Sequence, residues 1–136
     1  MTGLFLALLA TLTMFDPAGR AIVGDYDIRP GTIPGNIGYV YRHSEPHTIY
    51  FNVEWLRDRI SKARGDGTRL QEAYAVGACV LVHEATHLEL RNGTHTLPYQ
   101  RELACLERLG ASSWSKQVVR QRLREAIIAE SEERND

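Results

Sequence analysis

Residues 83–87 read His-Glu-Ala-Thr-His, two histidines four apart with a glutamate directly after the first. On a helix, residues four apart share a face, with Cβ atoms about 5–6 Å apart. Two imidazoles so placed can share one zinc ion at Zn–N distances of about 2.0–2.1 Å. Glu84 turns about 100° away from His83, because each helical residue rotates that far. It therefore stands beside the ion rather than on it, where a base that takes a proton from water must be. This H-E-x-x-H spacing points to zinc-dependent hydrolysis, with His83 and His87 as ligands and Glu84 as general base. The flanks, Val80-Leu81-Val82 and Leu88, place the motif in a buried helix. The plain alternative is two core histidines and a glutamate with no ion. It leaves three polar side chains near the interior without evident partners, which is costly.

A catalytic zinc needs a third protein ligand and an open position. His95, Glu102, Glu107 and Glu89 are the candidates. A metzincin spacing is disfavoured, since it needs glycine at 90 and histidine at 93, where Leu90 and Gly93 stand. His95 lies eight residues beyond His87, past the helix stop, and reaches the ion only if the loop folds back. Glu102 is favoured by its place on the helix that Pro98 opens. At about 100° per residue, Tyr99, Leu103, Leu106 and Leu109 form one apolar arc, and Glu102 falls inside it. Glu107 falls outside, next to Gln100, and Arg101 and Arg108 lie opposite. An inward carboxylate without a counter-charge is rare. A metal accounts for it, and a salt bridge to an arginine of another element is the competing account.

These residues need elements to hold them. Thr68 to Gln71 reads as a capping box, and Asn92-Gly93 as a left-handed stop, which predicts a central helix over residues 69–91. Residues 73–82 carry no charge, so this helix is buried on every side. Pro98 and Gly110 bound the next helix. Ser113 or Ser115 caps a last helix, with Trp114, Val118, Leu123, Ala126 and Ile127 expected on its inner side, and residues 130–136 expected to fray. Upstream, Ala21–Ile28, Ile37–Arg42 and His47–Asn52 read as strands, the last two joined as a hairpin by residues 43–46. Asn52 caps a helix whose apolar stripe is Val53, Leu56, Ile60 and Ala63, ended by Gly65-Asp66-Gly67. The apolar run Leu4–Phe15 is too short for a bilayer, which takes about 20 residues. No basic residue precedes it, so it reads as a buried first helix that Asp16-Pro17 stops.

The chain has 136 residues, room for one domain over residues 1–136. Sixteen basic against seventeen acidic residues give a net charge of −1, which argues against a nucleic-acid partner. No transmembrane segment is expected. The default compartment is cytoplasmic, the alternative being export or membrane association through residues 4–15. Cys79 and Cys105 are too few and too far apart for a disulfide scaffold, and reduced thiols are the default. One turn before His83 and one turn after Glu102, on antiparallel helices, they would nonetheless lie near each other.

Taken together, His83, Glu84, His87 and Glu102 resemble the gluzincin group of zinc metallopeptidases, the thermolysin-like enzymes and their single-domain relatives. The resemblance covers residues 80–105 best. Arg101 and Cys105 depart from the asparagine and aspartate found around the glutamate in many gluzincins. The resemblance implies an α+β, minimal zincin-like domain. It has an N-terminal helix and a small sheet of three or four strands from residues 20–52, then the buried H-E-x-x-H helix and C-terminal helices. It implies Zn2+, a peptide or protein substrate, and peptide-bond hydrolysis with Glu84 moving the proton. It also implies a substrate held as an added strand on a sheet edge, either Ile37–Arg42 or His47–Asn52. A further donor would steady the oxyanion, Tyr99 first, with Tyr41 and His43 as others. The competing expectation is a catalytically inactive zinc-binding regulatory or interaction domain, and an intact Glu84 weighs against it.

Overall fold

A computed structural model describes residues 2–135, with side chains described to residue 133. In chain order the elements are helix α1 (Gly3–Phe15), helix α2 (Pro17–Val23), strands β1 (Asp27–Pro30), β2 (Gly38–Tyr41) and β3 (Glu45–Phe51), and helices α3 (Val53–Ala63), α4 (Gly67–Leu90), α5 (Thr96–Arg108) and α6 (Ser113–Asn135). The architecture is α+β, six helices with a three-stranded sheet. Every strand lies within residues 20–52, and every later described element is helical, as expected.

Helix α1 begins where Thr2 Oγ1 accepts from the Phe5 N–H at 3.3 Å. It turns Phe5, Leu8 and Leu12 inward onto α4 and the sheet. Gly77 of α4 makes this approach possible, since a Cβ there would meet Leu8 and Phe51 at 3.2 Å. The strand expected over Ala21–Ile28 is corrected. Residues 17–23 are helical and the strand starts at Asp27. The reason is Asp16, 1 % exposed, which ends one helix and starts the next. Its N–H donates to the Leu12 carbonyl at 2.8 Å, and its Oδ1 accepts from the Gly19 N–H at 3.1 Å. Pro17 has no N–H to lose at that first position. No described helix is long and apolar enough to cross a membrane.

The sheet order is β1-β3-β2, with β3 central, parallel to β1 and antiparallel to β2. Ile28 pairs with Ile49, and Tyr39 with Tyr50. Ile49 and Phe51 are fully buried, and Phe51 meets Phe5 edge-on at 6.0 Å. Asn52 Oδ1 accepts from the Trp55 N–H at 3.1 Å, the expected cap of α3.

Helix α4 is the axis of the fold, and from Gly77 to Leu88 all its residues are buried. Its ends differ from expectation by a residue or two. Asp66, not Thr68, caps it, accepting from the Thr68 and Arg69 N–H groups at 3.1 and 3.2 Å. One carboxylate serving two free amides displaces the hydroxyl. The left-handed stop is Arg91, φ 55°, rather than Asn92-Gly93. Asn92 instead uses Oδ1 to accept from the Thr94 N–H at 3.1 Å.

Helix α5 starts at Thr96, before Pro98, because a remote carboxylate caps it. Glu130 of α6 accepts from the His95 N–H at 2.7 Å, from the Thr96 N–H at 3.2 Å and from the Thr96 hydroxyl. In the segment expected to fray, α6 continues to Asn135, and Asp136 lies outside the described residues. Of the inner face expected for α6, Val118, Leu123 and Ala126 are half-buried, and Trp114 and Ile127 are corrected. Val119 is buried, whereas Trp114 is 74 % and Ile127 45 % exposed. At about 100° per residue, Trp114 sits roughly 140° from Val119, so the two cannot face the core together.

Candidate metal centre

His83 and His87 lie on one face of α4, their Nε2 atoms 3.1 Å apart. His83, Glu84, His87 and, from α5, Glu102 are each less than 10 % exposed. The Glu84 carboxylate stands 4.0 Å from His83 Nε2. Glu102 Oε1 approaches the other nitrogen of the same ring, Nδ1, to 2.8 Å, but off the line that a hydrogen bond needs. The Nδ1 atoms of His83 and His87 are both buried without a hydrogen-bond partner among the described residues.

The short α4–α5 connection brings a third imidazole to the pair. The His95 ring lies 4.9 Å from that of His87, and its ligand atom and those of His83 and His87 all lie within 4.8 Å of one another. These three histidines form a group that could hold a metal ion. His95 is exposed where the other two are buried. The sequence signal for its approach is the length of the connection: with α5 beginning at Thr96, only residues 91–95 separate the helices.

The other candidates sort cleanly. Glu89 is exposed and paired with Arg101 at 2.5 Å. Glu107 points outward, 3.5 Å from Arg120. Tyr99 is half-buried, its ring 4.6 Å from that of His83. Tyr41 packs against Tyr39 and Tyr50, each at 5.7 Å, and His43 is exposed in the turn after β2. Of the two proposed sheet edges, His47–Asn52 is excluded, because β3 is the central strand. Strand β2 is a free edge and passes directly over the motif. A Cβ on Gly38 would come 3.2 Å from Glu84 Cγ and 2.8 Å from Val80. Arg42, at the end of β2, had no signal in the sequence. Its Nε is buried without a hydrogen-bond partner among the described residues, and its guanidinium lies beside Gly93.

Electrostatics follow from burial. Desolvation pushes the Glu84 carboxyl up to about 7, with His83 opposing the rise and Glu102 adding to it. Desolvation also holds the His87 imidazole down at about 3, helped by His83, His95 and Arg42. A neutral imidazole is the form that binds a metal. Burial raises the Tyr99 hydroxyl above its ordinary range, so it stays protonated and able to donate.

The two helices that carry the site are tied together. Cys79 and Cys105 form a disulfide between α4 and α5, Cα atoms 5.6 Å apart, in place of the reduced thiols expected by default. They stand one turn from His83 and from Glu102. Comparison with protein families, characterised proteins and solved structures finds no match to this chain.

Proposed function

We propose that this chain is a zinc-dependent hydrolase of peptide bonds, with His83 and His87 holding the ion and Glu84 as general base. The observation that carries the reading is the buried pair of Nε2 atoms 3.1 Å apart, with a carboxylate beside them. Two nitrogens at that separation can both reach one zinc at about 2.0–2.1 Å. The donor set, imidazoles with a carboxylate, suits zinc best among the divalent metals.

Glu102 is the third ligand in this reading. It is a buried carboxylate on the apolar face of α5, with no arginine or lysine paired to it among the described residues. A second reading puts His95 in that place, favoured by the close approach of the three imidazoles. Glu102, 2.8 Å from Nδ1, would then stand behind His83, where realignment of its carboxylate would give the hydrogen bond common behind metal-bound histidines.

Zinc held here would supply a Lewis acid that lowers the pKa of a water toward about 7 and polarises a carbonyl. Glu84, poised near neutrality by burial, takes the proton of the attacking water and gives it to the leaving amine. Strand β2 offers main-chain hydrogen bonds to an extended substrate, directly above Glu84. Tyr99 is the donor assigned to the developing oxyanion. The disulfide favours an exported protein over a cytoplasmic one, because such bonds persist in oxidising compartments.

Metal analysis combined with hydrolysis of a mixed peptide library tests the reading. The expected result is about one zinc per chain, with activity lost to a chelator and restored by zinc. Glu84→Gln should keep the zinc and lose roughly 10²–10⁴-fold in rate. Stoichiometric zinc in both His83→Ala and His87→Ala would overturn the site. Tight zinc with no peptide cleaved would leave the non-catalytic zinc-binding domain as the better account.

A further inference from the structure

A groove of about 830 Å³ runs from Glu102 between α3, α4, α5 and α6. Val76 and Val80 form its floor, and Glu84 follows them at the same spacing of four on α4. Residues so spaced share one face of a helix, so Glu84 stands one turn beyond the floor, while Glu102 is the residue of the candidate site that lines the groove itself. Leu106 and Trp55 form walls, and Trp114 stands exposed at the rim. The volume falls in the range of pockets that bury most of a bound small ligand.

The charge around this groove is one-sided. Arg59, Lys62, Arg69 and Arg122 line it, against Glu72 and Glu102. Glu72 is already engaged by the Ser112 N–H and by the Ser112 and Ser115 hydroxyls. Lys62 and Arg69 have Asp58 and Asp66 at 3.0 and 3.7 Å. Arg59 lies over the Trp55 ring at 5.5 Å, and neither it nor Arg122 pairs with a carboxylate among the described residues. Two exposed guanidinium groups are thus left at the mouth of an apolar groove.

We infer that the groove is the substrate-binding cleft and selects a large apolar side chain flanked by carboxylates. The ring or branched chain rests on Val76, Val80 and Leu106, and the carboxylates meet Arg59 and Arg122. That the bound chain is a substrate rests on the peptidase reading. The ligand chemistry of the groove stands on its own residues.

Trp55 and Trp114 are the two tryptophans of the chain and both line the groove, so intrinsic fluorescence reports its occupancy. The full chain is titrated in a chelator with three blocked tripeptides: acetyl-Glu-Phe-Glu-amide, acetyl-Gln-Phe-Gln-amide and acetyl-Glu-Ala-Glu-amide. The first should give a saturable change that weakens with salt, as exposed charge pairs do. Each of the others should bind roughly tenfold more weakly. Arg59→Gln combined with Arg122→Gln, at exposed positions, should cost the acidic aromatic peptide roughly tenfold and the neutral one nothing. Equal binding of all three peptides, no saturable signal, or unchanged acidic binding in the double variant would overturn the inference. The two readings separate on adding zinc. Selective binding without cleavage sinks the peptidase and leaves the groove; cleavage blind to acidic and aromatic neighbours does the reverse.

Discussion

Replacing Glu84 with glutamine should stabilise the metal-free protein at alkaline pH and leave it nearly unchanged in mild acid. Burial raises the Glu84 carboxyl from 4.5 to about 7 in the folded state. A group whose folded pKa is raised holds its proton more tightly when folded, so stability falls as pH rises from about 4.5 to about 7 and then levels off. A shift of that size corresponds to about 3 kcal/mol at full ionisation, since each pKa unit is worth about 1.4 kcal/mol. Glutamine has nearly the same shape and cannot ionise, so the variant escapes this cost and keeps only that of a buried amide. For a domain of this length each kcal/mol moves Tm by about 3–5 °C. The assay is thermal unfolding of wild type and Glu84→Gln in excess chelator at pH 4.5 and pH 8.5. The variant should melt about 5–12 °C above wild type at pH 8.5 and within a few degrees of it at pH 4.5. An equal shift at both pH values would refute the reasoning, because it would mean that the carboxylate is solvated in the folded protein.

Glu102→Ala should weaken zinc binding strongly and Glu107→Ala should not, measured by competition with a chromophoric chelator; the opposite order would show that the inward face of α5 has been misassigned. If His95→Ala instead abolishes binding while Glu102→Ala weakens it only about 10–100-fold, the three-histidine reading replaces the first. Reducing Cys79–Cys105, or replacing both residues with alanine, should cost about 3–4 kcal/mol of stability for a loop of 26 residues, read by denaturant unfolding. In metal-free protein the depressed His87 pKa, about 3, predicts that its contribution to stability is present above pH 6.5 and is lost as pH falls toward 3, a slope that His87→Gln should remove.

The helix that carries the motif was legible because its signals are local and redundant. An uncharged run from residue 73 to 82, bounded by turn-formers, predicts a buried helix whichever residue supplies the cap. The inward turn of Glu102 was legible for the same reason, through the four apolar neighbours on its arc. What stayed hidden depends on partners remote in sequence. Helix α2 rests on Asp16, whose carboxylate also meets Arg108 at 2.8 Å across 92 positions. The start of α5 depends on Glu130 reaching His95 and Thr96, 35 and 34 residues away. On α6, Val118, Leu123 and Ala126 were placed rightly, and Trp114 and Ile127 wrongly, by weighting large apolar residues over a consistent angle. Which sheet edge is free could not be read either, since strand order is a property of pairing and not of any one strand.

Asp16 shows how this fold accommodates a buried carboxylate when no ion is needed. It caps a helix and takes an arginine, both through Oδ1, so its charge is countered within the chain although Oδ2 is buried without a hydrogen-bond partner among the described residues. Glu84 and Glu102 are nearly as buried, yet the nearest arginine on α5, Arg101, is turned to Glu89. Their neighbours are imidazoles, of which His87 is held neutral and has an Nδ1 without a hydrogen-bond partner among the described residues. Unpaired buried charge costs several kcal/mol per group, against about 5–15 kcal/mol for the stability of a whole domain. A cation at the histidine pair would offset that cost for both carboxylates at once. The disulfide between α4 and α5, and the grip of Glu130 on the residues at His95, fit that proposed role. The disulfide holds α4 to α5 and Glu130 holds α6 to the start of α5, so that an ion, if one binds, would meet a site already assembled.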